Sequence, residues 1–189
     1  MKGKKVVLGI CGSIAAYKAC ELVRRLKERG AAVRVVMTPA AASFVSPLTL
    51  SVLSGGPVLS SMGDSGLWHM AHLEVADWAD AVLVAPATAD FLSRLASGRA
   101  ELLLDSLILS TKAKVALCPA MDAQMWEHPA TAANVERVKS YGYEVWGPAH
   151  GALASGKVGM GRLIEQDDIL SRLETLLPSR GARKTKARA

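Results

Sequence analysis

The chain has 189 residues, 50 % of them hydrophobic and 21 % charged, a balance that fits a domain with a sizeable core and argues against a disordered or fibrous protein. The formal net charge is +6, but Arg180, Arg183, Lys184, Lys186 and Arg188 all fall in the last ten residues, so the body is close to neutral and no basic face for nucleic acid is expected. Three cysteines, Cys11, Cys20 and Cys118, are odd in number, lack metal-ligand spacing and have apolar neighbours, which points to buried thiols rather than a disulfide scaffold or a metal centre.

In chain order, Met1–Lys5 begins like a signal peptide, but the apolar run behind it is broken by Gly12, Ser13 and Lys18; neither a signal sequence nor a membrane span is expected, and the location expected is cytoplasmic. Lys5–Ile10 is a β-branched apolar run ending in Cys-Gly-Ser, the pattern of a buried strand entering a turn. Over 14–29, Ala15, Ala19, Leu22, Val23 and Leu26 recur at helical spacing, and Gly30 stops the helix. Val33–Met37 predicts a second strand, which completes a right-handed parallel strand–helix–strand unit.

Further along, 47–53 predicts a short helix closed by Gly55-Gly56, 62–66 a polar loop, and 71–78 a helical turn or two. Ala81–Ala85 is a wholly apolar strand ended by Pro86. Helices are expected over 88–97 and 102–110, a strand over 115–118, and a helix over 129–141 with Pro129 in its first turn. A last strand over 143–146 and a closing helix over 169–177 complete the reading.

Strands that are apolar throughout need helices on both faces. The fold class is therefore α/β, a Rossmann-like doubly wound parallel sheet, with a single domain over 1–177 and a basic, disordered tail over 178–189. In such sheets the ligand crevice lies beyond the carboxyl ends of the strands. Four segments follow strands directly: Gly12-Ser13, Thr38-Pro39, Pro86-Ala87-Thr88-Ala89-Asp90 and Pro119-Ala120-Met121-Asp122.

Each constellation read alone leaves alternatives open. Gly12-Ser13-Ile14-Ala15-Ala16-Tyr17-Lys18 opens a helix whose free N–H groups suit a monophosphate, or it is an ordinary turn; it lacks the glycine spacing of dinucleotide sites. His72, three residues after His69, suits a general base or is an ordinary half-exposed histidine; no third ligand supports a metal. Met121, Met125 and Trp126 around Asp122 can wall a ring-shaped ligand or form core at helical spacing. The glycine-rich stretch 151–162, carrying Ala154, Ser155, Lys157 and Arg162, is too long for a tight turn and reads as a functional flap or a plain surface loop.

Taken in order, these segments resemble the flavin-containing cysteine decarboxylase family over about 5–168. The Gly12–Lys18 stretch is similar to its first phosphate loop, and His72-Leu-Glu to its active-site histidine motif. Ala85-Pro-Ala-Thr-Ala-Asp90 is similar to its flavin-binding motif, in a form most like the decarboxylase half of the bacterial bifunctional coenzyme A biosynthesis enzyme. Pro119-Ala-Met-Asp-x-x-Met-Trp126 resembles its substrate motif, and Ala154-Ser-Gly-x-x-Gly-x-Gly-Arg162 its substrate clamp.

The resemblance implies an FMN-dependent enzyme that decarboxylates 4′-phosphopantothenoylcysteine to 4′-phosphopantetheine. The thiol is oxidised, carbon dioxide leaves, and the enethiolate formed is reduced by the returning hydride. His72 and Ser155 would be catalytic, and Asp122, Met125, Ala154, Lys157 and Arg162 would bind substrate. Gly12, Ser13, Ile14, Thr38, Ser46, Pro86, Ala87, Thr88, Ala89 and Met121 would lie along the FMN. No metal is implied, and such sites form between subunits of a homo-trimer or of a dodecamer of trimers.

Two positions depart from the family pattern. Asp122 stands where the motif has asparagine, and Ser155 where the clamp often carries a proton-donating cysteine. An ionised carboxylate repels a substrate carboxylate unless it is protonated or aimed at an amide N–H, and a hydroxyl is a weaker acid than a thiol. These departures keep other expectations open: oxidative decarboxylation of a peptide's C-terminal cysteine, flavin prenylation, or a catalytically silent FMN-binding regulatory subunit.

Overall fold

The computed structural model describes residues 1–62 and 70–177; the tail expected over 178–189, His69 and most of the 62–66 loop lie outside them. Strands β1 (Lys5–Ile10) and β2 (Ala32–Met37) flank helix α1 (Lys18–Glu28), which a 3₁₀ turn over Ile14–Tyr17 precedes. After a second 3₁₀ turn, Pro39–Ser43, come α2 (Pro47–Ser54), β3 (Val58–Leu59), α3 (Ala71–Trp78) and β4 (Ala81–Ala87). Next are α4 (Ala89–Ala96), α5 (Leu103–Ser110), β5 (Lys114–Pro119), α6 (Ala123–Glu127), α7 (Pro129–Ser140) and β6 (Glu144–Val145). The hairpin β7 (Ala149–Ala152) and β8 (Val158–Arg162) leads to the closing helix α8 (Gln166–Leu176).

The main sheet has the order β3-β2-β1-β4-β5-β6, with every pairing parallel. Its chain direction of travel reverses between β1 and β4, the switch point where doubly wound sheets open a crevice. Alternate residues of each strand feed two separate cores. Val6, Leu8 and Ile10 pack with Leu22, Val23 and Leu26 of α1 and Ile169, Leu170 and Leu173 of α8. Val7, Val82 and Val84 pack on the opposite face with Phe91, Leu92 and Leu95 of α4, Leu104 and Leu107 of α5, and Val135 and Val138 of α7. Burial on both faces is the reason these strands read as continuous apolar runs.

Several expectations need correction. β4 does not stop at Ala85: it runs through Pro86 to Ala87 past a register shift. Pro86 is tolerated because its missing N–H removes only one ladder bond at that irregularity. The stretch 151–162 lies mostly within a two-stranded antiparallel hairpin rather than an unstructured loop. The strand expected over 143–146 shrinks to two residues, and the short elements β3 and α6 were not foreseen.

Candidate active site

One half of the site is built by the sheet. The turn after β1 packs so tightly on the 3₁₀ turn after β2 that a Cβ on Gly12 would lie 2.6 Å from the Ala40 Cβ and 3.0 Å from its carbonyl carbon. Glycine is therefore dictated there by close approach. Ser13 caps the following turn, its Oγ accepting from the Ala15 N–H at 3.3 Å. Thr88 caps α4, its Oγ1 accepting from the Phe91 N–H at 3.2 Å, the usual use of a threonine at a helix start. Backbone bonds tie these turns to one another: Cys11 N–H donates to the Pro86 carbonyl at 3.1 Å, and Ala120 N–H to the Ala87 carbonyl at 3.0 Å.

Beyond these strand ends lies a cavity of about 1080 Å³, at the top of the roughly 300–1,000 Å³ range of small-molecule sites. Thr38 lines it while only 4 % exposed, and its Oγ1 has no hydrogen-bond partner among the described residues. A buried hydroxyl in that condition is costly unless a ligand or water satisfies it.

The hairpin builds the other half. Met121 N–H donates to the Gly161 carbonyl at 3.0 Å, and Gly161 (φ 153°) has the Met121 carbonyl oxygen where a Cβ would stand. Any side chain at Gly161 would push β8 off the loop after β5. At the hairpin tip, Ser155 Oγ donates to Asp122 Oδ2 at 3.0 Å, while Asp122 Oδ1 accepts from the Gln124 N–H at 3.0 Å and caps α6. Both carboxylate oxygens are thus engaged.

Beneath the cavity sits a pair that the sequence reading missed. Arg94 Nε donates to Asp105 Oδ2 at 3.0 Å, and Arg94 also reaches Asp90. Asp105 is fully buried, and the same Oδ2 accepts from the Leu102 N–H at 3.1 Å. Burial pulls the Arg94 guanidinium down, but the hydrogen bonds and charges of Asp105 and Asp90 outweigh it and hold it above its ordinary value. The signal was available: an acid inside Leu-Leu-Leu-Asp-Ser-Leu-Ile-Leu and an arginine inside an apolar helical stripe, each needing a partner if buried. Behind this pair, burial pushes the Cys11 thiol up to about 12, opposed only in part by the Thr88 backbone hydrogen bond and the Arg94 charge, so it stays a neutral core thiol.

Of the residues singled out in sequence, the structure gathers Gly12, Ser13, Ile14, Thr38, Thr88, Ala89, Met121, Asp122, Met125, Ala154, Ser155 and Arg162 around this one cavity. Five stand outside its lining. Pro86 and Ala87 are buried in β4 and act through their carbonyls. Ser46 is an exposed residue ahead of α2, and Lys157 is exposed at the hairpin tip. His72 is half-buried in the first turn of α3 and does not reach the cavity of its own chain. Among the described residues no group of three or more His, Cys, Asp or Glu could hold a metal, and no helix is long and apolar enough to cross a membrane.

The flavoprotein family profile matches residues 1–177. The coenzyme A biosynthesis bifunctional protein CoaBC of Vibrio vulnificus is 49 % identical over 175 residues, covering 92 % of this chain. The chain spans 44 % of that relative's length. A cysteine-to-serine mutant of PPC decarboxylase complexed with pantothenoylaminoethenethiol superposes with a TM-score of 0.87 at 28 % identity, over 94 % of this chain and 100 % of that one. The FMN-dependent cysteine decarboxylase SpaF superposes with a TM-score of 0.81 at 26 % identity, over 93 % and 98 %.

Proposed function

The chain belongs to the flavoprotein family, and from that premise we propose that it catalyses the FMN-dependent decarboxylation of 4′-phosphopantothenoylcysteine to 4′-phosphopantetheine in coenzyme A biosynthesis. The observation that carries this reading is that one cavity joins the sheet-built turns to the hairpin-borne Ser155 and Arg162. It has room for a flavin and a second molecule beside it.

The residues present fit FMN. The Gly12–Ala15 turn and the start of α4 offer N–H donors and a positive dipole end to a monophosphate, and Thr38 offers a buried hydroxyl that has no other partner among the described residues. Bound FMN supplies reversible two-electron oxidation of the substrate thiol. The chain's own residues bind, orient and manage protons. Met121 and Met125 provide polarisable walls that exclude water. Arg162 brings a guanidinium fork suited to the acidic substrate, with Glu165 holding it from the other side.

His72 is assigned the base that holds the thiol proton. Because it lies outside its own chain's cavity, the reading gives it to the cavity of a second copy, in a homo-trimer or a dodecamer of trimers. A cytoplasmic location belongs to the same proposal.

The test is to incubate FMN-loaded protein with 4′-phosphopantothenoylcysteine, following carbon dioxide release and product mass. Release of carbon dioxide together with 4′-phosphopantetheine supports the proposal. A fully loaded protein that releases none overturns it and favours a silent flavin-binding subunit, the reading that Asp122 and Ser155 would then explain.

A further inference from the structure

We propose that Asp122 and Ser155 form a two-residue proton relay, in which the carboxylic acid recharges the serine that protonates the decarboxylated substrate. The inference rests on the decarboxylase reading above and assigns Asp122 a role acting through Ser155 rather than by contact with the substrate carboxylate. Its basis is the 3.0 Å hydrogen bond from Ser155 Oγ to Asp122 Oδ2, made between two residues that both line the cavity. The two are 33 positions apart in sequence, and they are the same two positions at which the chain departs from the pattern it resembles.

An alcohol alone is a poor acid for this task. In the superposed PPC decarboxylase, the mutant with serine for cysteine is complexed with an unsaturated thiol. Ser155 differs from a lone serine in having a carboxyl group on its oxygen. An asparagine at 122 could hold the same position but could not deliver a proton. The backbone fixes the pair from both sides, through Gln124 N–H on Asp122 Oδ1 and the Met121–Gly161 bond that seats the hairpin.

Asp122 enters the step carrying a proton taken from solvent. In that state Asp122 donates to Ser155 Oγ, and the serine proton turns toward the substrate. After carbon dioxide has left, the π pair of the enethiolate takes the Ser155 proton to form the new C–H bond, leaving a thioaldehyde at the sulfur-bearing carbon, which the hydride held by reduced FMN in the proposed reaction would convert to the saturated thiolate. Asp122 passes its proton to Ser155 Oγ as this happens, becomes a carboxylate, and regains a proton from solvent. The half-exposed setting of Asp122 permits that return.

The experiment measures by mass the ratio of saturated to unsaturated thiol product, a quantity independent of total turnover. Asp122→Asn shifts the ratio toward the unsaturated thiol on the order of 100-fold, the scale of a lost general acid. Ser155→Ala produces the same shift, and adding Asp122→Asn to it changes nothing further. Ser155→Cys restores the saturated product in the Asp122→Asn background, a rescue that a merely structural Asp122 would not show. Should Asp122→Asn not fold, Asp122→Ala decides instead: a shift toward the unsaturated thiol that Ser155→Cys reverses keeps the relay, and an unchanged ratio overturns it. Carbon dioxide release with an unchanged product ratio overturns the relay and leaves the decarboxylase reading standing; absence of release from the unmodified protein defeats that reading, and the relay with it.

Discussion

The two halves of the cavity are made in different ways. The sheet-built half consists of strand ends whose neighbours are buried on both faces, and its polar atoms are fixed by caps and backbone bonds at Ser13, Thr88, Cys11 and Ala120. The hairpin half is carried by two short strands whose tip residues Ala154, Ser155, Gly156 and Lys157 are all exposed. Among the bonds that hold it to the body are Met121–Gly161 and Ser155–Asp122. A site on packed elements is pre-organised, whereas a segment with few buried contacts opens at low cost. The proposed reading accordingly assigns the flavin to the rigid half, and substrate entry and release to the lightly anchored one.

Substitutions put this contrast to the test. The largest effect is expected at Asp105→Ala, which leaves the buried Arg94 with the exposed Asp90 as its remaining carboxylate partner; losing one partner of a buried pair costs about 3–5 kcal/mol, read as a fall in the unfolding midpoint of flavin-free protein. Gly12→Ala forces a Cβ against Ala40, an overpacking cost of about 1–3 kcal/mol that calorimetry on apo and FMN-loaded protein should find mostly in weakened flavin binding.

Thr38→Val removes a hydroxyl that has no partner among the described residues. It should weaken FMN by about 1 kcal/mol, the net worth of one hydrogen bond, and leave apoprotein stability undiminished. A stability loss equal to the loss in affinity would show that the hydroxyl serves the fold instead. The smallest effect is expected at Ser155→Ala, less than about 0.5 kcal/mol in global stability by chemical denaturation. A larger loss there would mean that the hairpin is as firmly built as the sheet, and the contrast would fail.

Legibility in the sequence follows the same divide. The Gly12-Ser13 and Thr88-Ala89 turns could be read because each follows a fully apolar strand and opens a helix, so position alone selects them. The hairpin escaped because Gly151, Gly156, Gly159 and Gly161 interrupt any alternation of polar and apolar side chains. β3, two residues long, and α6, five, are too short to show a period. Arg94–Asp105 joins two helices across eleven residues, a pairing that needs tertiary structure to be seen even though each charge stood out in its apolar surroundings. His72 was visible as a residue, but a single chain does not bring it to the cavity.

The most direct measurement is the visible absorption of the purified protein titrated with FMN. The account predicts saturable binding of one FMN per chain, with the two bands of oxidised flavin in the bound form and affinity reduced by Thr38→Val. A folded protein that stays colourless through the titration would contradict it.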